Sequence, residues 1–249
     1  ANTGASQAAI KCNWFDSNNN SGPSSGNGIY TDEYTGGGII SNVLIENNKF
    51  SGNTSAGITI STSQAVLATT GITITKNEFI GNARAVFLYN TVSSSFTNNV
   101  ISGSTRTDGT GDLRIYGGVN NLSVLNNSFS AGGPRGILIT NDGAQVPATN
   151  SNITITQNSF TGYTSTNFAI ANVSGYTGAV PATCNWYGGT GATVPPLISG
   201  SVTFEPFLTN GTDNDAAIGF QPVPNSCTGC ASFSPTISIT ETSGTTNND

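Results

Sequence analysis

One phrase recurs along this chain: an apolar alternation that closes on Asn, one further residue, and then Phe or Ile. It reads NVLIENNKFSG at 42–52, GITITKNEFIG at 71–81, SFTNNVISG at 95–103, NLSVLNNSFSA at 121–131 and NITITQNSFTG at 152–162. The shared asparagines are Asn48, Asn77, Asn99, Asn127 and Asn158, so successive copies lie 29, 22, 28 and 31 residues apart. A repeat of that length means a solenoid, in which each unit buries its apolar side against its neighbours and unequal insertions leave as loops.

A second alternation follows each phrase: Gly57-Ile58-Thr59-Ile60, Val86-Phe87-Leu88-Tyr89, Leu113-Arg114-Ile115-Tyr116, Ile137-Leu138-Ile139-Thr140 and Phe168-Ala169-Ile170-Ala171. Period-two runs of four or five residues between Gly, Asn and Ser turns read as short strands. No amphipathic helical stretch separates them, which leaves a coil of parallel strands, a right-handed parallel β-helix of all-β class. The register predicts one inward stack of Phe50, Phe79, Ile101, Phe129 and Phe160 and another of Ile45, Ile74, Phe96, Val124 and Ile155. The repeated asparagines are expected at a bend, each amide bonding backbone or its copies above and below.

Composition agrees with a stacked coil and excludes several functions. The chain has 249 residues with 31 Asn and 31 Gly, 7 Lys+Arg against 13 Asp+Glu, and no His. Asn, Ser, Thr and Gly are poor helix-interior residues, and the charged helix formers are scarce. A net charge of -6 offers no basic footprint for nucleic acid. Without His there is neither a Ser-His-Asp or Cys-His nucleophile system nor an imidazole metal site. No apolar run approaches the ~20 residues of a membrane helix. The lack of any Met, and so of an initiating one, suggests a processed product or a piece of a longer chain.

The ends differ from the middle. Residues 1–30 are expected to form a cap or the end of a preceding module, 31–208 the coil, 209–232 a closing segment or linker, and 233–249 the opening of a following Ig-like β module. The two tryptophans, Trp14 and Trp186, sit in matching Cys-Asn-Trp triplets. Four Cys favour disulfides if the chain is exported. Cys227 and Cys230 are close enough to pair locally, leaving Cys12 and Cys184, and pairing of Cys184 with Cys227 is an equal alternative.

Few charged residues invite a chemical reading. Asp213 and Asp215, in a Gly-rich turn, could supply oxygens to a structural calcium ion, although Asp is also an ordinary turn residue; no other cofactor is expected. Asp108, Asp112 and Asp142, with Arg114 and Arg135, fall in consecutive rungs and could converge as the carboxylates and cations of a polysaccharide lyase or hydrolase. On the second strand Phe87, Tyr89, Arg114, Tyr116 and Leu138 should point outward if Val86, Leu88, Leu113, Ile115, Ile137 and Ile139 point in. They would form an aromatic lane for a glycan or a protein surface, unless the insertions at 104–111 and 141–151 fold over it.

The phrases Cys184-Asn-Trp-Tyr-Gly, Gly219-Phe-Gln-Pro222 and the ISITETSGT-like stretch near the end resemble those of very large secreted surface proteins of Bacteroidetes, the gliding-adhesin and type IX secretion cargo class. That resemblance implies a secreted, cell-surface location, the secretion machinery as a partner during export, and an adhesive or structural role. Together with the lane, it leads to the expectation of a non-enzymatic surface module that binds a glycan or protein, with a polysaccharide lyase or hydrolase as the alternative.

Overall fold

A computed structural model describes residues 6–19, 24–32, 40–62, 68–141 and 149–227. Their strands fall into repeating triplets, each making one turn of a coil. The first turn is β1 (Ala8–Lys11), β2 (Trp14–Asp16) and β3 (Asn27–Thr31), and the second β4 (Ser41–Glu46), β5 (Lys49–Ser51) and β6 (Ala56–Ile60). The third is β7 (Thr69–Thr75), β8 (Glu78–Ile80) and β9 (Val86–Leu88), and the fourth β10 (Thr91–Thr97), β11 (Val100–Ser102) and β12 (Leu113–Ile115). The fifth is β13 (Asn120–Leu125), β14 (Ser128–Ser130) and β15 (Arg135–Ile139), and the sixth β16 (Ser151–Thr156), β17 (Ser159–Thr161) and β18 (Phe168–Asn172). Shorter pieces, β19 (Val180–Pro181), β20 (Ile198–Ser199) and β21 (Val202–Thr203), continue the winding.

Each strand pairs in parallel with its copies one turn away, which produces three long sheets, β1-β4-β7-β10-β13-β16, β2-β5-β8-β11-β14-β17 and β3-β6-β9-β12-β15-β18-β20. This is the right-handed parallel β-helix expected from the repeat. Residues 8–31, most of them in the stretch expected to be a cap or the end of a preceding module, make a complete turn, with Phe15 over Phe50 and Ile29 over Ile58. The winding therefore reaches back to Ala8. Residues 228–249, which include Cys230 and the expected Ig-like opening, lie outside the described residues.

The corner between the first and second sheets is built by two adjacent positions. Cys12, Asn47, Lys76, Asn98, Asn126, Gln157 and Cys184 all adopt left-handed backbone, with φ between 54° and 59°. That single residue turns the chain sharply enough to redirect it into the next strand. The residue after it is always Asn. Asn13, Asn48, Asn77, Asn99, Asn127, Asn158 and Asn185 form a continuous ladder, in which each backbone N–H donates to the side-chain oxygen of the next Asn at 2.9 Å. Each Nδ2 from Asn13 to Asn158 donates to that same oxygen at 2.8 to 3.1 Å. The expected five-membered ladder is thus seven long, because the Asn of each Cys-Asn-Trp triplet belongs to it. A shorter ladder, Asn18, Asn53 and Asn82, repeats the same bonds at the next corner.

Inside the coil the rings stack. Phe15, Phe50 and Phe79 lie with centroids 4.9 Å apart and planes within 7°, and Phe129 over Phe160 repeats the 4.9 Å spacing. Ile101 interrupts this column, and the neighbouring column compensates: Phe96, where other turns carry Ile or Val, places its ring 6.1 Å from Phe79 and 6.3 Å from Phe129. The fourth turn has exchanged its two core residues. Ile101→Phe alone should therefore overpack the coil, at a cost of about 1–3 kcal/mol, and Phe96→Ile alone should leave a void costing roughly 1–2 kcal/mol. The double exchange is expected to recover most of both losses in a urea-unfolding double-mutant cycle, and strictly additive losses would contradict the exchange.

After β21 the chain turns back along the Asn corner as a strap. Leu208 N–H bonds Asn185 O, Phe220 N–H bonds Asn126 O, and Asn126 Nδ2 bonds Phe220 O. Gly219, at φ 112°, lies so close to Asn98 and Asn126 that a Cβ would stand 2.5 Å from the Asn126 carbonyl oxygen. The strap ends in a disulfide between Cys184 and Cys227. Of the pairings left open by the sequence, the structure selects the one that ties the strap to the corner it covers; Cys12, at the far end, is exposed and free. Among the described residues no helix is long and apolar enough to cross a membrane.

Candidate binding face

The third sheet presents its outward residues in one column: Tyr30, Thr59, Phe87, Arg114, Leu138 and Ala171 are paired neighbour to neighbour. The loop between β11 and β12 folds back over part of this face. It is held from outside by two arginines: Arg84 Nη2 donates to Thr110 Oγ1 at 2.9 Å and Arg135 Nη1 donates to the Gly109 carbonyl; within the loop Arg106 Nε donates to Asp108 Oδ2. Gly111 in the same loop meets Leu138, where an added Cβ would stand 3.0 Å from the Leu138 Cβ.

That covering is the alternative raised by the insertion at 104–111, and it removes part of the expected lane. Leu138 is only 3% exposed, and Tyr89 is 6% exposed with its ring edge-on to Tyr116. Phe87, Arg114 and Tyr116 are half-buried and form the remaining surface. The Arg114 guanidinium lies 4.5 Å from the Tyr116 ring centre and 5.6 Å from that of Phe87, and Arg84 approaches Phe87 at 5.6 Å. Two guanidinium groups thus approach the Phe87 ring.

Arg84 is the residue that the sequence reading passed over. It is 5% exposed, no carboxylate among the described residues pairs with it, and its Nε donates to nothing there. Burial, followed by the like charges of Arg106 and Arg114, drives its pKa down to about 9, with Asp108 opposing. Its contact with Phe87 is worth about 1–2 kcal/mol, against a desolvation cost of several kcal/mol for a buried ion. The count of arginines was a usable signal: all four in the chain, Arg84, Arg106, Arg114 and Arg135, lie within one stretch and meet around one loop. Beside Arg84 a cleft of about 240 Å³ opens, lined from the first three turns and by Arg106 of the β11–β12 loop.

Of the carboxylates expected to converge, Asp108 and Asp112 do not share a surface. Asp108 is exposed, and hydrogen bonds from Thr110 and Arg106 hold its carboxyl below the usual range although partial burial opposes them. Asp112 is 1% exposed, lies against Gly133, and accepts a hydrogen bond from the Tyr163 hydroxyl at 3.2 Å. Burial raises its pKa to about 7, although bonds from Ser104 and Tyr163 act in the other direction. Arg135 serves the loop rather than a carboxylate, and Asp142 lies outside the described residues. Asp213 Oδ1 accepts backbone N–H bonds from Gln221 and Asp215, and Asp215 Oδ1 accepts one from Ala217. Both of the residues considered for calcium therefore act as turn caps within the strap. Among the described residues no group of three or more Cys, Asp or Glu side chains is placed to hold a metal.

A family model described as a right-handed beta helix region matches residues 3–185. No curated protein and no solved structure matches the chain.

Proposed function

The chain belongs to the right-handed β-helix family, and on that footing we propose that it is a non-enzymatic binding module of a secreted cell-surface protein, attaching to a glycan or protein surface. The observation that supports this reading is the face of Phe87, Arg114 and Tyr116, which offers aromatic and guanidinium contacts on a rigid sheet in a chain otherwise poor in charge. Flat rings with a cation beside them suit the apolar faces and hydroxyls of sugar rings. Stacked parallel strands hold these groups in fixed register, so little conformational freedom is lost on binding. Membership of the Bacteroidetes surface-protein class, with export by type IX secretion, is part of the same proposal and rests on the terminal phrases.

Phe87→Ala and Tyr116→Ala are each expected to weaken retention on a glycan-coated or cell-derived surface by about tenfold, while the unfolding midpoint falls by only a few degrees. Unchanged retention in both variants would remove the face from the account. Tyr89→Ala is the contrasting variant: its ring is buried, so it should lose stability first. A non-enzymatic module should release neither reducing ends nor unsaturated products from acidic polysaccharides, with or without calcium, and release of either would favour the lyase or hydrolase alternative.

A further inference from the structure

The cleft beside Arg84 contains an unmet electrostatic demand. Its rim is supplied by Asn27, Ser55, Thr59 and Ser61 from the first two turns, and its charged groups are Arg84 and Arg106. Tyr30 and Phe87 form the aromatic walls. Arg84 cannot relieve its burial by losing a proton near neutral pH, and the ring contact offsets only a fraction of the cost of removing it from water. One of its five N–H donors is taken by Thr110, and its Nε is buried without a partner among the described residues. Arg106 is held through Nε by Asp108, and its side chain is 37% exposed beside the cleft. The arginines gathered around this loop are all the arginines of a chain of net charge -6.

We propose that this cleft is an oxyanion site: it binds the sulfate or carboxylate group of an anionic polysaccharide, with Arg84 as the buried counter-charge and Arg106 closing from the rim. A guanidinium fork matches the paired oxygens of such groups, and the serine and threonine hydroxyls can donate to those left over. The proposal deepens the binding-face reading, since Phe87 is both a wall of the cleft and a member of that face. A sugar stacked on Phe87 would carry its acidic substituent into the cleft.

The test uses the whole chain and inorganic sulfate at constant ionic strength, with chloride as the reference. Sulfate stabilises many proteins by exclusion from their surfaces, so the decisive comparison is with Arg84→Met, which keeps the stem and removes the charge. Wild type should gain several degrees in Tm between chloride and sulfate beyond any gain by the variant, and in chloride the variant should melt higher than wild type. Arg106→Gln, altered at a partly exposed side chain, should lose at least half of the sulfate-specific gain and so gives an answer even if Arg84→Met folds poorly. Equal sulfate responses in wild type and both variants would overturn the site. Acetate in place of sulfate, followed by sulfated and uronate polysaccharides, distinguishes the two sources of the anion; either response supports the site, and none with any of them overturns it. The sulfate response is independent of Tyr116, so loss of the binding face and loss of the oxyanion site are separable results.

Discussion

Replacement of Asp112 by Asn should make the protein more stable at pH 8 and should flatten most of the decline in stability expected of wild type on going from acid to neutral pH. The carboxyl is buried, and its pKa in the folded chain is about 7, against 3.8 for an ordinary aspartate. Because the folded state holds this proton more tightly than the unfolded state, the stabilising contribution is fully present below about pH 4. It is lost as pH rises through about 7. Across that interval the difference amounts to about 4 kcal/mol from this one group. Tyr163, which donates to Asp112, is itself pushed upward by burial and then by the nearby carboxyl, so it stays neutral over the same range. The amide introduced by Asp112→Asn would retain an acceptor for Tyr163 without a titrating proton. Urea midpoints at pH 4.5 and 8 check this: wild type should weaken strongly between them and Asp112→Asn should not, whereas parallel profiles would show that the carboxyl ionises without penalty.

The second large effect is expected from the middle of the Asn ladder. Asn127 Oδ1 accepts both the backbone N–H and the Nδ2 of Asn99, and Asn127 Nδ2 donates to the carbonyls of Phe96 and Leu125 and to Asn158 Oδ1. Asn127 is fully buried, as are Asn99 and Asn158. Asn127→Ala removes every one of these bonds and leaves the Asn99 N–H and at least one carbonyl without water or partner, each costing about 1–3 kcal/mol. A total loss of roughly 3–5 kcal/mol follows, at the upper end for a single substitution. Asn127→Asp should be at least as damaging, since it keeps the acceptor, loses the donor and buries a charge. Chemical denaturation of both variants gives the measurement. A loss below about 1 kcal/mol in Asn127→Ala would mean that the bend holds itself through its left-handed residue alone.

Much of the fold was legible because a solenoid repeats its solution. Once Asn48, Asn77, Asn99, Asn127 and Asn158 were aligned, the inward columns and the corner followed from the two-residue period of strands. The strand that opens the first turn was not, because Ala8-Ala9-Ile10-Lys11 offers a single strong apolar residue, and only pairing with Ser41–Glu46 makes it a strand of the sheet. The face was half legible. Alternation identified which residues point outward, and the long insertion at 104–111 was a candidate cover, but neither told which of them it would bury; the β11–β12 loop and Tyr116 take Tyr89 and Leu138 from the surface. Arg84 was missed because it lies before its strand, where alternation assigns no direction.

The two Cys-Asn-Trp triplets separate what local sequence dictates from what tertiary contact adds. In both, the Cys takes the left-handed corner, at φ 56° for Cys12 and 59° for Cys184, and the Asn joins the ladder. The sequence alone determines this much, since backbone sterics and the stacking of identical amides act over a few residues and one turn. The outcomes then diverge. Cys184 is bridged to Cys227, and Trp186 lies under Gly211, where a Cβ would stand 2.2 Å from the indole nitrogen. Cys12 is free, and Trp14 is 66% exposed with Lys49 5.5 Å from its ring. Which corner receives the strap depends on where residues 206–227 can reach after the last turn, a matter of chain length and closeness in space that no alternation of residues encodes. The cleft beside Arg84 has the same origin: Arg84 and Arg106, 22 positions apart, line it together only because the coil stacks their turns a few ångströms apart.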